Sequence, residues 1–262
     1  MRIGFTGGDS RMRVLADAAL ADGHTVASLA PFGVGLGVTD IEALCRFSEV
    51  VVLPVPSTRD GVHLCGTTLP LSSLPLSSRH AVFGGFLPPS FRSERLLDIA
   101  YDERTVYKNA VLTAEGAIAS LLTATGCGLL GLSVGVVGFG RIARSLVYRL
   151  RGFGVPITVY ARRPEALTEA ESLGCRAVML SPTLTLAEDV ILGTVPAPIY
   201  GQMRVRRPVY LADLGGGMPA SLPTEEGEVL PVTAARGVPG VFAPRGAGLV
   251  LWEALRAFLD TL

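Results

Sequence analysis

Residues that carry much of enzyme chemistry and most polyanion binding are scarce in this chain. Histidine occurs only as His24, His63 and His80, so no imidazole is available anywhere after His80. Lysine occurs once, at Lys108, and the rest of the basic charge is arginine, a bias that carries little functional weight. Charged residues make up 18% of the chain and the formal net charge is zero. That removes the argument for a nucleic-acid surface or an acidic tail, and leaves small molecules or proteins as partners. Cys45, Cys65, Cys127 and Cys175 are scattered without paired spacing, which argues against a disulfide framework and against a zinc knot. His63 and Cys65 are two potential ligands with no second pair beside them, so no metal site is expected. No stretch approaches the roughly twenty apolar residues of a membrane span. The opening Met1-Arg-Ile-Gly-Phe leads straight into a strand rather than a signal peptide, so a cytoplasmic location is expected.

What is abundant is apolar residue: 49% of 262 positions, enough for one large or two modest domains. The most informative stretch is Leu132-Ser-Val-Gly-Val-Val-Gly-Phe-Gly-Arg-Ile-Ala143. It reads as a buried strand, a glycine turn and a helix start, the context in which Gly-x-Gly-x-x-Ala binds a dinucleotide. Gly138 permits the tight bend and Gly140 lets backbone N–H groups, among them those of Arg141 and Ile142, approach a pyrophosphate. Ala143 allows close packing of helix on strand. The following strand, Ile157 to Ala161, should end where an NAD-binding chain carries an acid for the ribose hydroxyl. Here Ala161 is followed by Arg162-Arg163-Pro164. A carboxylate would repel a 2′-phosphate, whereas guanidinium groups pair with it, so the pattern points to NADP.

The chain reads as α/β, with two Rossmann-like doubly wound parallel-sheet domains and a cleft between them. The first domain spans 1–108, a bridging helix 109–126, the NADP-binding domain 127–243, and a C-terminal helix that packs on the first domain 244–262. In the first domain a strand from Arg2 to Gly7 runs into Gly7-Gly8-Asp9, a helix from Ser10 to Leu20 and a strand from Thr25 to Leu29. This unit lacks the third glycine of the dinucleotide pattern. Further strands are expected at Val50 to Pro54 and Ala81 to Gly85, a helix at Ser93 to Ala100, another element at Tyr101 to Tyr107, and a loop over Leu69 to Ser78. Ala114, Ala117, Ile118, Leu121 and Leu122 form the stripe of the bridging helix. Strands follow the fingerprint at Ala177 to Leu180, Val190 to Thr194 and Val209 to Leu214, with a helix at Glu165 to Leu173.

Three more motifs stand out: Gly7-Gly8-Asp9-Ser10-Arg11, Asn109-Ala-Val-Leu-Thr-Ala-Glu-Gly116 and Gly237-Val-Pro-Gly-Val-Phe-Ala-Pro-Arg-Gly-Ala-Gly248. With the Gly138 fingerprint between them, they resemble the A subunit of dipicolinate synthase over nearly the whole chain. That resemblance implies NADP-linked oxidation of a cyclic imino dicarboxylate, 4-hydroxytetrahydrodipicolinate or its dehydrated form, to pyridine-2,6-dicarboxylate. It also implies, as partner, a flavoprotein-like B subunit and, as location, the mother cell of a spore-forming bacterium; a homo-oligomer is a further possibility.

A diacid needs cationic or N–H donors, for which Arg11 with Asp9, Ser57 and Arg245 are the candidates. Glu115 is the candidate for proton transfer if burial raises its pKa, with Thr113 and Asn109 beside it as catalytic or helix-capping residues. Thr194-Val195-Pro196 and Asp213, each after a strand, are expected to line the nicotinamide side; Asp213 could equally serve local backbone donors. Two other readings share the layout. A 2-hydroxyacid dehydrogenase normally requires a late histidine, which this chain lacks. A non-catalytic NADP-binding regulatory subunit would keep the sheets without turnover.

Overall fold

The β-branched and apolar runs become strands of two parallel sheets in a computed structural model that describes residues 1–29, 32–126, 128–235 and 237–262. Cys127 lies outside the described residues. The chain divides into two compact units, Met1–Asn109 with Ala243–Leu262, and Ala110–Phe242.

In chain order the first unit contains β1 (Arg2–Phe5), α1 (Ser10–Ala21), β2 (Thr25–Leu29), β3 (Leu36–Val38), α2 (Ile41–Phe47), β4 (Val50–Val52), β5 (Ala81–Gly84), β6 (Arg95–Asp98) and the start of α3 (Glu103–Thr125). Its sheet has the order β3-β2-β1-β4-β5-β6 and every pairing is parallel. The second unit continues with β7 (Val134–Val137), α4 (Arg141–Leu150), β8 (Ile157–Ala161), α5 (Pro164–Ser172), β9 (Arg176–Met179), β10 (Thr185–Leu186), β11 (Val190–Gly193), β12 (Arg204–Val205), β13 (Tyr210–Asp213), β14 (Ser221–Pro223), β15 (Val229–Pro231), β16 (Thr233–Ala234) and α6 (Val238–Phe242). The chain ends in α7 (Pro244–Leu259). The second sheet runs β16-β13-β11-β7-β8-β9, again all parallel. Counted from its own first strand, each sheet has the doubly wound order 3-2-1-4-5-6, so each has a switch point beside its first strand: β1 against β4, and β7 against β11. Both units are the Rossmann-like α/β folds expected.

Parallel sheets covered on both faces need continuous apolar strands, and these have them. In the second unit Val134, Val136, Val159 and Leu192 face α3, α4 and α5, while Val137, Tyr160, Ile191 and Leu211 face Tyr200, Met203 and Met218. In the first unit Ile3, Phe5, Val50 and Val52 pack on α1 and α7, and Val51 and Val82 on α2. α7 starts with Pro244 in its first turn, where a missing N–H costs nothing. It lies beside α1 in the same direction: a Cβ on Gly248 would come 2.6 Å from the Arg11 carbonyl. At the other end Arg256 pairs with Asp22, and Trp252 meets His24 edge-on.

Two expectations are corrected. The helix expected over Ser93 to Ala100 is instead the edge strand β6, because Asp98 turns its carboxylate back to accept the Phe86, Leu87 and Ala100 N–H groups. The segment from Tyr101 is the entry of α3, started by Asp102, whose carboxylate accepts the Thr105 N–H. The sequence pattern also leaves β3 and α2 unmarked; the latter is capped by Asp40, which accepts the Ala43 N–H at 2.7 Å. Among the described residues no helix is long and apolar enough to cross a membrane.

Candidate functional site

The second unit's switch point is built by β7, the Gly138 turn and α4. Gly138 has φ +98°, a conformation that side chains resist, and a Cβ there would stand 2.6 Å from Thr194 Oγ1 and 2.8 Å from Val195 Cγ2. Glycine is required by both backbone and space. Gly140, the N-cap of α4, is exposed, lends no side chain to the helix end, and a Cβ on it would meet nothing within 4 Å. The first turn of a ten-residue helix thus opens on free space with its dipole positive, a cradle that fits a pyrophosphate. Ala143 is fully buried against the sheet. Between the glycines, Phe139 is buried beneath the Arg144 guanidinium, 5.0 Å from the ring centroid. Arg144 in turn makes a bidentate pair with Glu169 at 2.7 and 2.6 Å, clamping α4 to α5 and pulling the Glu169 carboxyl below its ordinary range.

β8 delivers the arginines. Ala161 is buried at its end, and Arg162 and Arg163 are exposed immediately after it. Arg163 is the N-cap of α5 and contributes to the field at Glu169. The Arg162 side chain makes no hydrogen bond or ion pair among the described residues. None of the three residues that follow β8, Arg162, Arg163 and Pro164, carries a carboxylate.

Beside the turn, Thr194 closes the switch point: its N–H and its hydroxyl both donate to the Val137 carbonyl at 2.9 Å. The loop after β13 lies directly on the loop after β11. A Cβ on Gly215 would fall 2.4 Å from the Thr194 carbonyl carbon, and one on Gly217 2.2 Å from the Ala197 oxygen. Asp213 is buried and accepts the Gly216 N–H at 2.8 Å. Val195 is half-buried and Pro196 exposed. The structure therefore brings Gly138, Gly140, Thr194 and Val195 together at the ends of the central strands, with Asp213 at the end of the next strand out.

The first unit repeats the plan with other residues. The Thr6 N–H and hydroxyl donate to the Val52 carbonyl, and Gly7 and Gly8 follow with φ +142° and +132°. Asp9 caps α1, accepting the Arg11 N–H at 3.0 Å, and pairs with the Arg11 guanidinium, which also donates to the Val55 carbonyl. The N-termini of α1 and α7 lie together, and Arg245 on α7 is exposed with no hydrogen bond or ion pair among the described residues.

Two site residues are corrected. Ser57 is completely buried, donates to the Pro54 carbonyl at 2.9 Å and accepts the Gly85 N–H at 3.0 Å. It braces the ends of β4 and β5 and has no face for a substrate. Glu115 is exposed and paired with Arg149 of α4 at 2.8 Å. The burial on which its proton-transfer role depends is absent. Because α3 begins at Glu103, Asn109 and Thr113 are interior helix residues rather than caps. With Gly116 they occupy one helical face, from which Glu115 diverges. Thr113 is buried and Asn109 exposed.

The histidines all lie in the first unit. His80 is buried between the Cys45 carbonyl and the Ser77 N–H, His63 pairs with Asp60 at 2.7 Å, and His24 packs on Trp252. No cluster of His, Cys, Asp and Glu able to hold a metal occurs among the described residues. Two buried polar side chains carry no sequence signal. Glu188 accepts the Tyr160 hydroxyl at 2.7 Å, and burial together with that carboxylate pushes the Tyr160 phenol up. Tyr200 lies in a proline-flanked stretch with no pattern that marks it as buried.

Residues 104–199 match the family model of the D-isomer specific 2-hydroxyacid dehydrogenase NAD binding domain. A glyoxylate reductase of Thermococcus litoralis is 42% identical over 73 residues, which make up 27% of this chain and 21% of that protein. The match thus spans about a fifth of that relative's length. Among solved structures, the A subunit of dipicolinate synthase from Bacillus halodurans superposes with TM-score 0.71 at 17% identity, covering 98% of this chain and 97% of that one. Its counterpart from Bacillus subtilis gives 0.69 at 18%, covering 100% and 96%. A transhydrogenase of Sinorhizobium meliloti gives 0.56 at 14%, covering 99% and 92%. The structural likenesses are likenesses of fold. The match over residues 104–199 and the stretch shared with the glyoxylate reductase support a dehydrogenase-like protein with a nicotinamide cofactor.

Proposed function

We propose that the chain is an NADP-dependent oxidoreductase that converts 4-hydroxytetrahydrodipicolinate, or its dehydrated form, to pyridine-2,6-dicarboxylate. The observation that carries the coenzyme half of this reading is the Gly138 turn: a positive-φ glycine wedged under Thr194 and, two residues on, a glycine N-cap that lends the helix no side chain and leaves open space. NADP⁺, when bound, supplies the hydride acceptor. The residues after β8 favour its 2′-phosphate, since two exposed guanidinium groups stand where an acid would select NAD. Thr194, Val195, Pro196 and Asp213 would border the nicotinamide half.

For the substrate, the first unit offers the exposed guanidinium of Arg245 at the start of α7 and, near it, that of Arg11 with its partner Asp9, cationic groups suited to a diacid. Loss of water from the hydroxylated ring, then of a hydride and a proton, yields an aromatic product. The driving force is largely the substrate's own, and the protein's work is orientation. That suits a chain whose best placed carboxylate, Glu115, is exposed and ion-paired. The reading includes a cytoplasmic location in the mother cell of a spore former and, as partner, a flavoprotein-like B subunit, in keeping with the subunit names of the two Bacillus proteins.

A 2-hydroxyacid dehydrogenase is the second reading, favoured by the match over residues 104–199 and opposed by the absence of histidine after His80. Purified chain incubated with NADP⁺ and freshly prepared imino diacid, with and without a B subunit, separates the two. The proposal expects NADPH and pyridine dicarboxylate in equal amounts. Glyoxylate reduction with no product from the diacid under either condition would overturn it.

A further inference from the structure

One buried polar atom of the second unit stands apart. Tyr200 is 1% exposed, and its O–H donates to no acceptor among the described residues. Buried hydroxyls are nearly always bonded, and phenylalanine would fill the same space without the penalty, so the oxygen needs a reason to be there.

Its surroundings supply one. A Cβ on Gly193 would stand 3.0 Å from the Tyr200 oxygen and 2.7 Å from Met218 Sδ, so the hydroxyl sits against the last residue of β11. The Gly193 carbonyl accepts the N–H groups of both Leu214 and Gly215, joining the ends of β11 and β13 at this point. The backbone of residues 215–217 lies on that of 194–197: a Cβ on Gly217 would stand 2.2 Å from the Ala197 oxygen and 2.4 Å from the Val195 oxygen. Burial, and then the Asp213 carboxylate, push the phenol up, while the Val195 N–H, which reaches the phenol oxygen as a donor, acts the other way. The hydroxyl therefore stays protonated, a donor beside the last residue of β11 and within the influence of Val195, in the loop after β11, and of Asp213, from which the loop after β13 departs.

We propose that Tyr200 is a positioning residue for the nicotinamide half of the coenzyme, its hydroxyl donating to the loops after β11 and β13 when they settle around that half. A donor unpaired in the free protein and paired in the complex favours the complex, since only interactions that differ between two states shift their balance. The inference rests on the reading of the second unit as a nicotinamide dinucleotide site.

The test is Tyr200→Phe in the full chain, titrated with NADPH and with 2′-phospho-ADP-ribose, which keeps the adenosine, its phosphate and the pyrophosphate but lacks nicotinamide. Wild type is expected to bind both. The variant should bind NADPH about tenfold more weakly and the fragment within about twofold of wild type, with unfolding temperature unchanged or raised. Gly193→Ala, which presses on the hydroxyl from the side, should give the same split. If Tyr200→Phe binds both as wild type does, or loses both together with a fall in unfolding temperature, Tyr200 has no such role and the coenzyme reading survives. If wild type binds neither probe, the coenzyme reading fails and this inference with it.

Discussion

Arg162 and Arg163 act at the end of long, solvent-facing side chains, so their contribution can be removed without disturbing the core. Replacing both with serine should weaken NADPH binding by about tenfold or more while changing NADH affinity by less than about twofold, read by fluorescence titration. Equal affinities for the two coenzymes in wild type would remove the 2′-phosphate role. Their placement just after β8 was legible because the end of a strand in such a fold is decided by a few consecutive positions. The same holds for Gly138, whose φ of +98° admits few other residues. Ser57 and Glu115 were misread because their roles are set by distant partners. The Gly85 N–H consumes the Ser57 hydroxyl, and Arg149, far along the chain, holds Glu115 at the surface. Tyr200 left no mark at all, since only the packing of β11 and β13 makes its oxygen unusual.

Among elements, legibility followed apolar continuity. β2 and β8 coincide with the strands read from sequence, because uninterrupted β-branched or apolar runs between turn residues admit few alternatives. Three-residue β3 and edge strand β6 offer too little pattern, and Asp98 and Asp102 look alike as helix starters when only one begins a helix. The strand starts of the second unit are pinned by a pair missing from any local pattern. Asp189, just before β11, accepts both the N–H and the hydroxyl of Ser133, just before β7, at 2.8 and 2.7 Å. These bonds, led by the Ser133 hydroxyl, hold the Asp189 carboxyl below its ordinary value. Its stabilising effect is therefore complete above the usual aspartate pKa and is lost as pH falls through the lower folded-state value. Ser133→Ala should cost about 1 kcal/mol at neutral pH. The gap between variant and wild type should narrow below about pH 4, where protonation of Asp189 weakens the bond that the variant lacks. A pH-independent gap in denaturant melts would assign Ser133 to packing instead.

At the scale of the whole molecule, both units use one strand order but dress their switch points differently. One has a glycine N-cap that lends no side chain and leaves open space, the other a start filled by its own Asp9 and Arg11. That asymmetry is what favours the second unit over the first for the coenzyme in the proposed function. It was partly legible: the missing third glycine separated the first turn from the second, whereas the ion pair that fills it depends on how Arg11 folds back onto Asp9. Calorimetric titration of the full chain with NADPH and with NADH measures directly whether the second unit holds a phosphorylated nicotinamide coenzyme. A saturable heat with NADPH, tighter than with NADH, is the expected result; the absence of saturation with either would contradict the account.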